Sequence, residues 1–340
     1  MNATRWVGRG VVGLTMVCAS TLLIGGTYEQ IARRRSVADF PAPGKLVDVG
    51  AGRRLQLDCR GNGSPTVVLE SGLDAYGSLA WAAVHDSIAR TSRVCAYSRA
   101  GIMWSDPPSG PFDARNAARD LHAALLASSE AAPWVMVGHS IGGPYVMIFT
   151  QLFAAEVKGI VFVDASHPAQ FAAYAKAIGT SLLPSATVPR IGSALAWTGL
   201  VRLLPAPPNP PSWPRIVGAV SRAFLSTSLG ALTSELQAIP TTLELAGTIR
   251  SLGDRPLVVL TAMRPDEPAD LTQMGLTRDQ GAKRLAAWRA LHDDEATWSI
   301  RGRNVLVADA SHYIQFLRPD LVIGAVRDVV AATRGVAAMP

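Results

Sequence analysis

The sequence predicts an α/β chain: a mostly parallel eight-stranded sheet flanked by helices, with a helical cap insertion. Three observations carry this. Apolar runs of strand length alternate with helical patterns along most of the 340 residues. One such run, Trp134–Val137, ends abruptly in Gly138-His139-Ser140-Ile141-Gly142, and a helix-compatible apolar run from Tyr145 to Ala155 follows. From Pro168 to about Arg250 the rhythm breaks and no strand pattern occurs.

Composition sets the frame. Hydrophobic residues make up 49% and charged residues 17%, a globular balance. The net charge of +6 could suggest a nucleic-acid partner, but residues 1–35 supply +4 of it through Arg5, Arg9, Arg33, Arg34 and Arg35 against Glu29. The remaining residues carry only +2 and show no basic patch, so no nucleic acid is expected.

Residues 1–35 read as a membrane anchor or a signal segment. Gly10–Tyr28 holds nineteen uncharged residues between basic flanks, about the length that crosses a bilayer core as a helix. A cleaved signal has a shorter apolar stretch and a small-X-small site, and Thr27-Tyr28-Glu29-Gln30 is a poor one. An uncleaved anchor is therefore preferred, with secretion after cleavage as the rival. The basic flanks leave the orientation open. Residues 36–44, with Pro41 and Pro43, read as a linker, and the body is expected over 45–334, with a tail at 335–340.

In the body the expected strands are Leu46–Val49, Arg54–Cys59, Thr66–Leu69, Arg93–Tyr97, Trp134–Val137, Gly159–Val163, Pro256–Leu260 and Asn304–Ala308. Several are continuous apolar runs, as in strands buried on both faces. Helices are expected at Ser78–Arg90, at Asp113–Ser128 with Asp113 as N-cap, and at Pro319–Thr333 with proline in its first turn. Residues 168–250, rich in Ala, Leu, Ser and Pro, read as a helical cap, because an 80-residue loop without structure is improbable (about 12–15 residues is a long one). Its apolar character suggests an apolar acyl group beneath it.

Gly-X-Ser-X-Gly between a strand and a helix is the nucleophile-elbow pattern. Gly138 and Gly142 lack Cβ atoms and let strand and helix approach, and Ser140 sits at the tip. With this elbow, the body from about Lys45 to Arg334 resembles the α/β-hydrolase fold. Tyr97-Ser98-Arg99-Ala100-Gly101-Ile102-Met103-Trp104-Ser105-Asp106 is similar to the segment after that family's fourth strand, commonly Asp-X-Arg-Gly-X-Gly-X-Ser, with Ser98 for the Asp and Met103 for a Gly. Ser311-His312-Tyr313 resembles the segment that carries the family's histidine. Leu69-Glu70-Ser71-Gly72-Leu73 stands where most members have His-Gly.

The resemblance implies a serine hydrolase with Ser140 as nucleophile and His312 as base. By position the backbone N–H groups of Leu73 and Ile141 form the oxyanion hole, with Gly72 letting the loop come close. The acid is expected at Asp164, which ends an apolar strand abruptly as in certain members, with Asp266 after the seventh strand as the alternative. Asp309 is too near His312 in the chain, and Asp106 reads as structural. His85 and His122 read as solvated residues of surface helices, and His292 lies on a polar helix. The His139 side chain is expected to point away from the nucleophile, and His167 could line a pocket. A serine nucleophile excludes the family's dehalogenase and epoxide-opening chemistry. No cofactor and no metal cluster are implied. In this fold strands two and four are neighbours, so Cys59 and Cys95 could be bonded, which would put the body in an oxidising, extracytoplasmic compartment. The expected substrate is a small molecule with an apolar acyl group. A slow ligand-binding or sensor protein on the same fold, or a thioesterase or transacylase, is the alternative.

Overall fold

Val dominates the central strands, and its branched side chain packs well on a pleated surface that is covered on both faces. A computed structural model of the protein describes residues 3–204 and 212–335, with side chains from Gly13 onward. Eight strands form one sheet: β1 (Lys45–Asp48), β2 (Arg54–Arg60), β3 (Thr66–Glu70), β4 (Val94–Ser98), β5 (Trp134–His139), β6 (Val157–Val163), β7 (Leu257–Ala262) and β8 (Gly302–Val307). Their spatial order is β1-β2-β4-β3-β5-β6-β7-β8, with β1–β2 and β2–β4 antiparallel and all other pairs parallel.

The helices are α1 (Ala3–Asp39), α2 (His85–Ala89), α3 (Ala114–Ala127), α4 (Gly142–Leu152), α5 (Gln170–Ile178), α6 (Thr187–Leu195), α7 (Arg215–Gln237), α8 (Ile239–Ala246), α9 (Pro268–Met274), α10 (Arg278–Ala296), α11 (Ile314–Leu317) and α12 (Pro319–Thr333). Alternate residues of the strands feed two cores. Val68, Met136 and Phe162 pack with Leu121, Phe149 and Leu243 on one face of the sheet. Val67, Val135 and Val161 pack with Ile88, Val326 and Val329 on the other.

The expected helix at Ser78–Arg90 is instead a 3₁₀ turn at Gly77–Trp81 and the short α2. Three of its apolar residues, Ala80, Trp81 and Val84, are fully buried and follow the contour of the second core rather than one helical stripe. Asp113 caps α3 by accepting a hydrogen bond from Asn116 N at 2.9 Å. Of the stretch expected to be a linker, 36–44, the first four residues are helical, because α1 continues to Asp39.

Among the described residues no strand lies between Val163 and Leu257. The two ends of this segment are built into the body: α5 packs on α10 through Tyr174, Ile178 and Trp288, and α8 buries Ile239, Leu243 and Ala246 in the first core. The part that stands over the strand ends is α6, α7 and the two 3₁₀ turns Ala196–Thr198 and Leu200–Leu203. The Pro-rich stretch at its centre lies partly outside the described residues, as does most of the expected tail. Among the residues whose side chains are described, from Gly13 onward, α7 is the one helix that is long and apolar enough to cross a membrane, and this leaves out the first residues of the uncharged run in α1. It buries Val217, Val220, Phe224 and the charged Glu235 against the body, so one face of it is already taken up by protein contacts.

Candidate active site

The strand ends of β5 and β6 both turn through a left-handed residue. Ser140 follows β5 with φ +54°, and Asp164 follows β6 with φ +45°. For a non-glycine residue this costs free energy and persists only where the surroundings over-determine it. Here the pins are backbone bonds: Ser166 N donates to Ser140 O at 2.8 Å, Gly143 N to Ser140 O at 3.0 Å, and Asp164 N to Leu260 O at 2.8 Å. The elbow closes because of its glycines. A Cβ on Gly138 would lie 2.7 Å from Gly142 O, and one on Gly142 would lie 2.7 Å from the carbonyl oxygens of Glu70 and Ser71. A Cβ on Gly72 would meet His139 Nδ1 at 2.9 Å and Ser140 Cβ at 3.0 Å, so Gly72 brings the loop after β3 against Ser140.

His312, on the turn between β8 and α11, bonds through Nδ1 to Asp164 Oδ2 at 2.7 Å. The carboxylate is 4% exposed and the imidazole 45%. Asp164 Oδ1 accepts from the Trp288 indole at 2.8 Å and from Ala262 N at 2.9 Å. Burial alone would raise the Asp164 pKa; the His312 hydrogen bond and charge, with His292 and the Trp288 N–H, outweigh it and hold the carboxyl below its usual range. An ionised acceptor at Nδ1 fixes the proton there and leaves Nε2 as the basic nitrogen. His139 donates its Nε2–H to His312 O at 3.0 Å, and the two rings lie 4.7 Å apart. Burial, with the His312 charge, pushes the His139 pKa down to about 3, so this ring is neutral. Among the described residues no hydrogen bond joins Ser140 Oγ to His312. Such bonds are commonly long in the free state and tighten with substrate.

Among the described residues, neither the Leu73 nor the Ile141 N–H has an intramolecular acceptor. Ile141 is the N-cap of α4, so its amide adds to the positive end of that helix. The loop that carries Leu73 is held by Arg99, a residue with no assigned role in the sequence reading. Its guanidinium donates to Ser71 O at 2.8 Å, Gly72 O at 2.6 Å, Glu70 at 2.7 Å, and Glu235 of α7 at 2.7 and 3.1 Å. Burial opposes the charge on Arg99, and Glu235 and Glu70 more than offset it.

The other candidates fall elsewhere. Asp266 is locked in a bidentate pair with Arg284 at 2.6 and 3.1 Å and does not meet His312. Asp309 pairs with Arg318, and Asp106 holds Arg54 N and Nε. His85 and His122, expected to be solvated, are not, and neither is His292 of the polar helix. His85 is buried near Asp58, His122 is half-buried, stacked on Phe153 at 3.8 Å, and His292 is buried between Thr261 and the Ala165 carbonyl. Each sits on the helix face turned to the body, and one histidine on a polar helix does not reveal which face that is. His167 is likewise buried, bonded to Asp294 at 3.0 Å rather than lining an open pocket.

The two substitutions against the family pattern sit in different surroundings. Met103 keeps the left-handed backbone (φ +51°) that favours glycine, and its side chain is buried in the cluster of Val220 and Phe224 of α7. Ser98, where aspartate is common, donates to Gln56 Oε1 and accepts from Ser78 N. Cys59 and Cys95 face each other in the β2–β4 register and are disulfide-bonded. Two clefts of about 420 and 540 Å³ open beside Arg53 and Arg119 and beside Asp266 and Arg289; neither is lined by Ser140 or His312.

The fold and this strand-end constellation define the class. Residues 65–185 match the model of the alpha/beta hydrolase fold family, and the chain has the α/β-hydrolase fold. It is similar to an uncharacterised protein of Schizosaccharomyces pombe, 42% identical over 74 residues, 22% of this chain and 14% of that protein. It is also similar to a protein of Hormonema carpetanum named a probable transporter, 33% identical over 126 residues, 35% of this chain and 18% of that one. The chain thus spans less than a fifth of the length of these two curated relatives. Among solved structures, an esterase from Thermogutta terrifontis superposes with a TM-score of 0.58 at 15% identity, covering 85% of this chain and 98% of its own. The enol-lactonase from Burkholderia xenovorans gives 0.56 at 19% identity, covering 84% and 99%.

Proposed function

We propose that this protein is a serine hydrolase that cleaves a carboxylic ester or related acyl bond through an acyl-enzyme. The observation that carries the reading is the 2.7 Å bond between His312 Nδ1 and Asp164, formed next to a serine at a strained elbow. Ser140 Oγ attacks the acyl carbon while His312 Nε2 takes its proton. Asp164 keeps the other ring nitrogen protonated and offsets the imidazolium charge. The oxyanion takes hydrogen bonds from Leu73 N and Ile141 N. His312 then returns the proton to the leaving group, and water attack on the ester of Ser140 reverses the sequence. Trp213 of the cap packs on Phe316 at 4.2 Å and on Tyr313 at 4.8 Å, beside the catalytic histidine, which favours an apolar acyl chain there.

The apolar helix α1 supports tethering to a membrane, and the Cys59–Cys95 disulfide supports an oxidising, extracytoplasmic compartment for the body. The test of the activity is labelling of the full chain in detergent with a fluorophosphonate, beside Ser140→Ala and a heat-denatured sample. Labelling that needs both folding and Ser140 is expected. A well-folded protein that takes no label would move the reading to a ligand-binding protein on this fold.

A further inference from the structure

Helix α1 does not leave the body as a free tether. Its second half is clamped to the cap. Gly25 touches the Thr198 carbonyl so closely that a Cβ would lie 2.3 Å from its oxygen, and the Tyr28 ring lies over Gly199. One turn on, the buried carboxylate of Glu29 accepts from Arg202 Nε at 2.6 Å, Ser226 Oγ at 2.7 Å and Arg33 Nε at 2.7 Å. Ser36 Oγ then donates to Ala223 O at 2.9 Å. Upstream of Gly25 the described side chains are exposed, among them Leu14, Val17, Leu23 and Ile24.

The same corner of the cap exposes apolar residues of its own. Leu195, Trp197, Leu200, Leu203 and Leu204 are all more than two-fifths exposed. Residues 195–204 hold one charged side chain, Arg202, which Glu29 neutralises. Lengths connect the two observations. The uncharged run Gly10–Tyr28 is about 28 Å long as a helix, close to the ~30 Å of a bilayer core. Its last turn is the turn pressed on Trp197, Thr198 and Gly199. If the run fills the core, the bilayer boundary falls at these cap residues. Exposed Arg34 and Arg35 follow about two turns later, at headgroup level, and Trp197 is a residue that favours that boundary.

We infer that the cap face formed by Leu195, Trp197, Leu200, Leu203 and Leu204 is seated in the lipid interface beside α1. This rests on the membrane-tether reading above. The catalytic domain is then held at one height and one rotation over the bilayer. The seated face is also close to the chemistry: Leu204 is nine residues from Trp213, which packs beside His312.

The test uses the full chain carrying Cys18→Ser, reconstituted in phosphatidylcholine–phosphatidylglycerol vesicles. A single cysteine bearing an environment-sensitive fluorophore replaces Leu23, Leu203 or Ile300 in turn. Ile300 is exposed and lies two residues before β8, at the N-terminal ends of the parallel strands and away from the ends that the cap covers. With nitroxide-labelled lipid, the Leu23 and Leu203 probes are expected to lose at least half their emission and the Ile300 probe to keep it. Adding Arg202→Ala is expected to restore emission at Leu203 and leave Leu23 quenched. Quenching at Leu23 without quenching at Leu203, including a Leu203 probe shielded by a second copy of the chain, overturns the seated cap while the tether stands. No quenching at Leu23 overturns the tether and the seated cap together.

Discussion

Asp164 and Asp266 differ in what surrounds them, and the difference is measurable. Asp164→Asn keeps the shape of the site, and asparagine tolerates the left-handed backbone at this position. It removes the charge that orients His312, so kcat on an acyl ester is expected to fall about 10³–10⁴-fold with little change in the unfolding midpoint. Asp266→Asn is expected to leave kcat within a few-fold, because its partner is Arg284. A second carboxyl, Asp74, sits on the loop behind Leu73 and is buried, with one oxygen bonded to Tyr76 N and the other without a partner. Burial raises its pKa to about 7. Between about pH 4 and pH 7 the folded protein keeps this proton and the unfolded chain loses it. Stability therefore declines as pH rises through that window and levels off above it. Asp74→Asn, which retains the bond to Tyr76 N, is expected to raise the melting temperature more at pH 8 than at pH 5. Equal shifts at both pH values would contradict the raised pKa.

At the scale of elements, Arg99 couples three of them: β3 through Glu70, the loop after β3 through Ser71 and Gly72, and α7 through Glu235. Arg99→Met leaves two carboxylates buried without their cation. The expected loss is about 3–5 kcal/mol of unfolding free energy, read by urea denaturation. This coupling also shows where sequence reading stops. The central strands were legible because each holds an uninterrupted apolar run, and Ser140 was legible because its flanking glycines make a local signature. Asp164 was legible as an abrupt polar end to such a run. The Arg99–Glu235 pair spans 136 residues, and no local pattern marks either partner. Nor does a lone histidine reveal its burial: His292 lies on a helix of mostly polar residues and is nevertheless completely enclosed. The short α2 was misjudged for a related reason, since apolar residues that follow a curved core need not share one helical stripe.

At the scale of the molecule, the sheet joins two unlike parts. β1 and β2 form an antiparallel flap, and β4 onward is parallel. Cys59–Cys95 bridges the two over a separation of 36 residues, and its reduction is expected to cost about 2–4 kcal/mol, measured as a fall in the urea midpoint under reductant. The position of the bridge has a further effect. The two borders of the sheet are protected differently. At the β8 edge Arg301 directly precedes the strand and Arg303 lies within it, and charge of that kind discourages pairing with another chain. At the other border the flap itself is the protection, because it covers β4, whose Val94, Cys95, Ala96 and Tyr97 are all buried. If the flap peels away, an apolar strand with unpaired backbone groups is laid bare, and the bridge keeps a peeled flap within reach of its place. The disulfide thereby acts as a safeguard of solubility: reduced protein held near its melting temperature should form intermolecular β-sheet and precipitate at concentrations where the oxidised protein stays clear.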